Sequence, residues 1–424
     1  MADTATTLNS MGFAKPAGQT RVVVAMSGGV DSSVTAAMLV EQGYEVIGIT
    51  MQLYDHGVAM AAKGACCAGA DIHDARQVAG RLDIPHYVLD YESLFQQQVM
   101  DDFADSYLAG HTPIPCVRCN QTVKFKDLLG MARDLDADCL ATGHYVRRDM
   151  LAGQPVLRRG IDSDKDQSYF LFATTPEQLE FVRFPLGSLT KDETRALARK
   201  YQLSVSDKPD SQDICFVPNG RYGDVVRKLR PGAIEPGLIK HMDGRTLGTH
   251  NGVIDYTIGQ RRGLGIGGRK GEGEDNAPLY VVAINAAQHE VIVGPQTALA
   301  CHRVYLSDMN WVREADAMRP ADSREGRAVL VKLRNTAPAT KARMFACPAA
   351  PVDTDMDTDT ETDRGADINK GAGDRGDAVY LQLEAPEFGI ATGQAGVIYD
   401  GEDESRMLGG GWISKAPTTA DSLG

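Results

Sequence analysis

Ser27, Gly28, Gly29, Val30, Asp31 and Ser32 sit between the apolar run "RVVVAM" and the helix-like stretch "SSVTAAMLVEQGY". A strand, a glycine-rich loop and a helix start place bare backbone N–H groups together. Unpaired donors and the helix dipole make such a terminus a phosphate-binding site. Adjacent glycines let the backbone approach a ligand closely and adopt angles other residues avoid. Ser27, Ser32 and Ser33 add hydroxyl donors, and one of them could cap the helix. The loop lacks the lysine of G-x-x-x-x-G-K-[ST], so it is not a Walker loop. Nor is it the G-x-G-x-x-G of a dinucleotide fold.

Cysteines form the second chemical group. "TPIPCVRCNQTVKF" places Cys116 and Cys119 in a short proline-rich loop that leads into a helix. A thiolate there is favoured by the helix dipole and by nearby Arg118 and Lys124. "SDKPDSQDICFVPNG" places Cys215 in a polar loop close to Lys208. A free thiol has a pKa of about 8.5, and both loops are expected to lower it. Cys139, inside the apolar "DCLATGHY", reads as a small buried hydrophobe. Cys301 and Cys347 have no company in sequence and read as structural. Cys66 and Cys67 are adjacent and could ligate a metal or line the loop after the second strand. Eight cysteines in 424 residues are too sparse for a disulfide scaffold.

The elements that must position these groups follow from hydrophobic period. "RVVVAM", "EVIGITMQL", "PHYVLDY" and "DCLATGHY" read as strands, alternating with helical "SSVTAAMLVEQGY", "DIHDARQVAGRLD" and "VKFKDLLGMARDLDA". Such alternation predicts an α/β fold with a parallel sheet and crossover helices. After about Pro218 glycine and β-branched residues dominate, predicting small β-rich domains. The length predicts roughly two to three domains. Residues 1–20 have no apolar stretch, so they read as a flexible tail rather than a leader, and the cytoplasm is the default location. No apolar run is long enough to span a membrane. The formal net charge of −13 argues against nonspecific nucleic-acid binding, but part of it is confined to residues 351–377. That stretch, "PVDTDMDTDTETDRGADINKGAGDRGD", has too little apolar surface to offset ordering and reads as a disordered insertion.

"SGGVDS" resembles the S-G-G-x-D-S loop of the PP-loop ATP pyrophosphatases. That resemblance implies ATP cleavage between the α- and β-phosphates and adenylation of a substrate oxygen. Further blocks, "CCAGADIHDARQVAGRLDIPHYVLD", "CNQTVKFKDLL", "ATGHYVRR", "KDQSYFL", "KPDSQDICF", "GTHNGVIDYTIGQRRGLGIG" and "LGGGWI", occur in the order found in the tRNA-specific 2-thiouridylases. The likeness runs from about Arg21 to Ile413. It implies a PP-loop domain over 21–218, a small central domain over 219–295 and a C-terminal β-barrel that contacts tRNA over 296–424.

By this resemblance the residues from Ala25 and Met26 to Ser32 would bind the phosphates of ATP, with Mg²⁺. Met51 and Gly143 match adenosine contacts. Cys119 matches the nucleophile and Cys215 the persulfide carrier. Lys165, Asp166 and Gln167 match a tRNA-contacting block. Arg334 matches the first residue of an Arg-Tyr contact whose second position here is Asn335, so the aromatic partner is missing. The family's Asn-Pro-Asp before the nucleophile is here Ile114, Pro115 and Cys116, and a thiol cannot accept hydrogen bonds as a carboxylate does. Asp210 and Asp213 are candidates for that lost task.

The implied reaction converts uridine O2 to an adenylate and replaces it with sulfur from a Cys215 persulfide. Cys119 would attack the sulfur–sulfur bond or the adenylated carbon. The pair would end as a disulfide reset by thiol exchange. The sulfur would come from a cysteine desulfurase or relay protein. "HYVRRDM", "VLRRGI", "GDVVRKLRPG" and "GQRRGLGIGGRK" offer basic clusters for the tRNA backbone. Three rivals stand beside this reading. An amidotransferase-type synthetase would need an ammonia-producing domain. An iron–sulfur thiolase would use Cys116, Cys119 and Cys215 as cluster ligands. A sulfur carrier or tRNA binder without catalysis would have no use for an ATP loop.

Overall fold

The computed structural model describes residues 8–53, 67–210, 213–217, 221–266, 278–318, 325–347 and 378–418. The acidic stretch 351–377 and Cys66 lie outside them.

The parallel sheet forms as the alternation predicts. Its strands are β1 (Arg21–Ala25), β2 (Glu45–Gln52), β3 (His86–Asp90) and β4 (Cys139–Ala141). Beyond the hairpin of β5 (Val146–Leu151) and β6 (Gln154–Arg159), β7 (Val182–Arg183) completes it. The order is β3-β2-β1-β4-β7, with every pairing parallel. β1 is central. Val23 points into one core while Val22 and Val24 point into the other, which is why its sequence does not alternate. The chain leaves β1 towards β2 on one side and β4 on the other, so the loop after β1 opens at a switch point.

A second sheet, ordered β10-β11-β8-β9, is built from β8 (Gly237–His241), β9 (Thr246–His250), β10 (Tyr280–Asn285) and β11 (Glu290–Gly294). The last unit is a closed barrel of β12 (Ala300–Trp311), β13 (Arg327–Lys332), β14 (Thr340–Ala346), β15 (Val379–Phe388), β16 (Ala395–Asp400) and β17 (Met407–Lys415).

The barrel is not hung on a linker. Ala395, Val397, Tyr399 and Met407 share one hydrophobic core with Val23, Leu128, Leu140 and Tyr169. Asn310 Nδ2 donates to the carbonyls of Phe172 (2.6 Å) and Thr174 (2.9 Å). Ser168 Oγ and Tyr399 Oη are 2.7 Å apart. We expect Asn310→Ala to strand two carbonyl acceptors and cost about 1–3 kcal/mol. An unchanged melting temperature would show that the contact contributes nothing.

Residues 8–20 are folded down rather than loose. Asn9 Oδ1 accepts from the N–H groups of Met11 (3.0 Å) and Phe13 (3.1 Å), and Met11 is buried. Arg183 Nε donates to the Met11 carbonyl at 2.7 Å and its guanidinium lies over Phe13. The tail reading missed this because the anchor is a single Asn turn and one arginine far along the chain.

Candidate active site

β1 delivers the loop and helix α1 (Val30–Glu41) follows, with Gly29 at its N-cap in an extended conformation. No side chain caps this helix. The expected serine cap is absent because the serines turn inward. Ser32 Oγ accepts from the Ser27 N–H at 3.1 Å, and Ser33 Oγ donates to the Gly29 carbonyl at 2.8 Å. The first-turn N–H groups of α1 therefore remain available to an anion, flanked by Ala25, Met26, Ser27 and Val30.

Two glycines are sterically required. Gly28 has φ +74°, and a Cβ there would lie 2.1 Å from the Asp71 carbonyl oxygen of the helix Cys67–Leu82. A Cβ on Gly143 would lie 2.9 Å from both the Asp31 carbonyl carbon and the Ser32 nitrogen. Both neighbours are backbone and cannot swing aside. Gly143→Ala is therefore expected to push the α1 start away and raise the KM for ATP about tenfold or more, by the cost of overpacking. An unaltered KM in a folded variant would refute the placement. Met51 is half-buried on β2 and packs between two cores.

Asp31 is held from two sides. Tyr145 Oη donates to its Oδ1 at 2.9 Å, and Lys191 Nζ reaches both oxygens at 2.8 and 2.9 Å. Lys191 also lies 2.8 Å from Asp210. Burial, then the Asp31 charge, pushes the Tyr145 phenol far up, so it stays a donor. Sequence reasoning missed Tyr145 and Lys191. The only signal was the Thr190–Glu193 capping box, which starts the helix Lys191–Lys200 and sets Lys191 on its first turn.

The thiols lie below. Pro115–Arg118 is one helical turn, followed by the π-helical turn Cys119–Lys124. Cys119 is buried in a core that also holds Phe95, Phe103 and Phe216. Phe216 wedges edge-on against Phe95 (5.7 Å) and Phe103 (5.2 Å), anchoring the segment that carries Cys215. Cys215 itself is exposed on its open side.

The thiols are not lowered as the sequence suggested. Burial raises Cys119 and Cys116, and Lys124 only partly offsets it. Protein crowding the sulfur pushes Cys215 up to about 12, with Cys119 and Cys116 adding to the effect. The two cations expected to help Lys124 are engaged elsewhere. Arg118 lies over Trp412 and 3.6 Å from Asp102. Lys208 Nζ donates to the Gly28 carbonyl (3.0 Å), Asp71 (2.6 Å) and Asp74 (2.6 Å). Nearby His144 is pushed down to about 3 by burial and by Lys124, so its imidazole is neutral. Cys139 is fully buried and pushed up to about 12, chiefly by burial, as befits a core side chain. Cys301 is buried and Cys347 partly so.

Of the two carboxylates considered for the task of the lost Asp, Asp213 is the nearer. It accepts from Tyr222 Oη at 2.8 Å, and its charge helps raise Cys116. Asp210 is committed to Lys165, Lys191 and Arg195. Burial opposes its ionisation, but hydrogen bonds from Lys165 and Lys191 hold it at about 2, which suits it poorly to accept a proton. Among the described residues no three His, Cys, Asp or Glu side chains are grouped as a metal ion requires.

The expected tRNA block divides. Asp166 Oδ1 accepts from the N–H groups of Gly160 and Ser168, both at 3.1 Å, and Gln167 Oε1 from that of Tyr145 at 2.9 Å. Both side chains hold their own loop. Lys165 is the positively charged member, 2.8 Å from Asp210. Arg334 is partly exposed on the barrel, 3.9 Å from Glu387, and Asn335 beside it is exposed.

Three family models match the chain: a tRNA methyl transferase HUP domain over residues 20–219, a tRNA methyl transferase PRC-barrel domain over 224–295 and an aminomethyltransferase beta-barrel domain over 371–413. A tRNA-specific 2-thiouridylase MnmA from Rhodospirillum centenum is 58% identical over 98% of this chain and 97% of its own. One from Ruegeria sp. is 56% identical over 96% of this chain and 97% of its own. Among solved structures, NMN synthetase from Francisella tularensis aligns with a TM-score of 0.30 at 16% identity, covering 50% of this chain and 76% of that one, too remote to bear on function. The model descriptions speak of methyl transfer and the relatives' names of thiolation. Identity over nearly the whole length outweighs a domain description. No helix among the described residues is long and apolar enough to cross a membrane. The chain belongs to the tRNA-specific 2-thiouridylase family.

Proposed function

We propose that this protein is a tRNA-uridine 2-sulfurtransferase that uses ATP to convert the wobble uridine to 2-thiouridine. The observation that carries the reading is the presence, in one chain, of an uncapped phosphate loop and two thiols whose segments share a core.

In the reaction, uridine O2 attacks the α-phosphate and pyrophosphate leaves. The N–H groups at the start of α1 would bind phosphate oxygens, and Asp31, once freed from Lys191, would hold Mg²⁺, which would offset phosphate charge. A persulfide on Cys215 attacks C2 and AMP departs. Cys119 then attacks the Cys215 sulfur. The bond between that sulfur and the transferred one breaks, its electrons go to the sulfur on C2, and a Cys119–Cys215 disulfide remains. A reducing thiol resets the pair. Because burial raises both thiols, Lys124 is the cation that partners whichever sulfur is ionised. Lys165, Asp166, Gln167, Arg334 and Asn335 belong to the tRNA side, with Lys165 and Arg334 supplying charge. The persulfide sulfur comes from a cysteine desulfurase or a relay protein.

The test is mass spectrometry of tRNA after incubation with ATP, Mg²⁺ and a cysteine desulfurase with cysteine as the persulfide source, with pyrophosphate measured alongside. Formation of 2-thiouridine supports the reading, and its absence with intact tRNA and folded protein rejects it. Cys116, Cys119 and Cys215 are not among any grouping of the described residues suited to a metal, so the two-thiol route is preferred to an iron–sulfur cluster. Stoichiometric iron and acid-labile sulfide in active protein would favour the cluster. Deleting residues 353–377 is expected to leave thiolation nearly unchanged, because an acidic, apolar-poor chain repels tRNA more than it helps. A large loss at matched stability would give that segment a role.

A further inference from the structure

Two residues just upstream of Cys215 bind the nucleotide loop and its surroundings more firmly than a surface segment needs. Lys208 directs its ammonium at the Gly28 carbonyl inside the phosphate loop, at 3.0 Å, and at Asp71 and Asp74, both at 2.6 Å. Asp210, on the far side of Pro209, accepts from Lys165 (2.8 Å), Lys191 (2.8 Å) and Arg195 (2.9 Å). Arg195 also grips the backbone, donating to the carbonyls of Ser206 (3.1 Å) and Lys208 (3.2 Å). Lys191 is shared, because the same ammonium sits 2.8 Å from Asp31 of the loop. The cluster thus holds Lys165, Lys191 and Arg195 against Asp31, Asp210 and Asp162, the last of which accepts from the Lys191 backbone N–H at 2.9 Å, so its charges already balance.

We propose that Lys208 and Asp210 are positioning residues that tie the Cys215 segment to the nucleotide loop and release it when ATP phosphates take over Lys191. A triphosphate brings several negative charges to the start of α1, where they compete with Asp31 and Asp210 for the Lys191 ammonium. Lys191 is buried, short of water, and must turn to whichever anion is stronger. As it turns to phosphate, Asp210 loses one of its cations and the segment five residues before Cys215 loosens. Sulfur delivery is thereby delayed until a nucleotide is in place to activate the base. The inference rests on the reading of Cys215 as the sulfur carrier, and coupling of this kind is reciprocal.

The experiment uses the full-length protein without tRNA. Diamide is added, and Cys119–Cys215 disulfide formation is timed by peptide mass spectrometry, with and without Mg²⁺ and α,β-methylene-ATP. In the wild type the analogue is expected to speed the disulfide about 5-fold or more. In Asp210→Asn the disulfide should form at the faster rate with no analogue present and respond little to it. By linkage, the oxidised wild type should bind the analogue more tightly by the same factor. Equal wild-type rates with and without analogue overturn the proposal, and need no variant to fold. A full wild-type response retained by Asp210→Asn overturns it too. Failure of the carrier reading looks different: Cys215→Ser would still thiolate tRNA while the disulfide timing of the wild type kept its nucleotide response.

Discussion

Cys119→Ser and Cys215→Ser are each expected to abolish 2-thiouridine formation, while Cys116→Ser slows it by about 10–100-fold at most. The first two changes remove a sulfur that must form or break a bond, and serine cannot carry a persulfide. Cys119 lies in a core with the Phe216 that anchors Cys215, and among the described residues Cys116 is the one other thiol beside them. Cys116 stands where the family places an Asp. It is raised by burial, so at neutral pH it is a weak proton acceptor, and its removal takes away only a modest assistance. Tandem mass spectrometry of tRNA nucleosides measures all three. Residual thiolation above about 1% in either of the first two variants would sink the two-thiol route. Complete loss in Cys116→Ser, together with loss of bound iron, would transfer the chemistry to a cluster instead.

Asp31→Ala is expected to reduce AMP formation by about 10²–10³-fold or more, on the scale of losing one preorganised electrostatic group. The fold should survive, since the Asp31 side chain is partly exposed and its loop is braced independently by Ser32 and Ser33. What fails is placement. Lys191 loses its partner on the loop side and remains with Asp210, while Tyr145 loses its acceptor. Radiolabelled ATP with tRNA present reads the result directly, and normal AMP formation by a folded variant would remove Asp31 from the nucleotide site.

The phosphate loop was legible because its signal is local. Strand, glycines and helix start are contiguous, and Gly28 does adopt the positive φ such a turn needs. The thiol environment was not, and the reason is specific. Arg118 and Lys208 stand near Cys119 and Cys215 in sequence, but carboxylates from other segments, Asp102, Asp71 and Asp74, draw them away. Burial then decides the sign of the shift, and burial is a property of packing that no single loop announces. Tyr145 and Lys191 were hidden for the converse reason. They come from two separate stretches of chain and meet Asp31 only after the sheet assembles. The serine cap failed on a finer point: a hydroxyl next to a helix start can serve the loop rather than the helix.

The core shared by the sheet and the barrel has an evolutionary consequence. Gly410 on β17 faces the ring of Phe172 so closely that a Cβ there would approach it to 2.8 Å. A barrel fitted this tightly is not an interchangeable cassette. One borrowed from another RNA-binding protein would bring side chains where this one has bare backbone, and would leave Tyr169 and Leu128 without their lid. The inner wall of the barrel and the catalytic sheet can therefore change only together, while the outer rim, where Arg334 is partly exposed and Asn335 exposed, is free of that constraint.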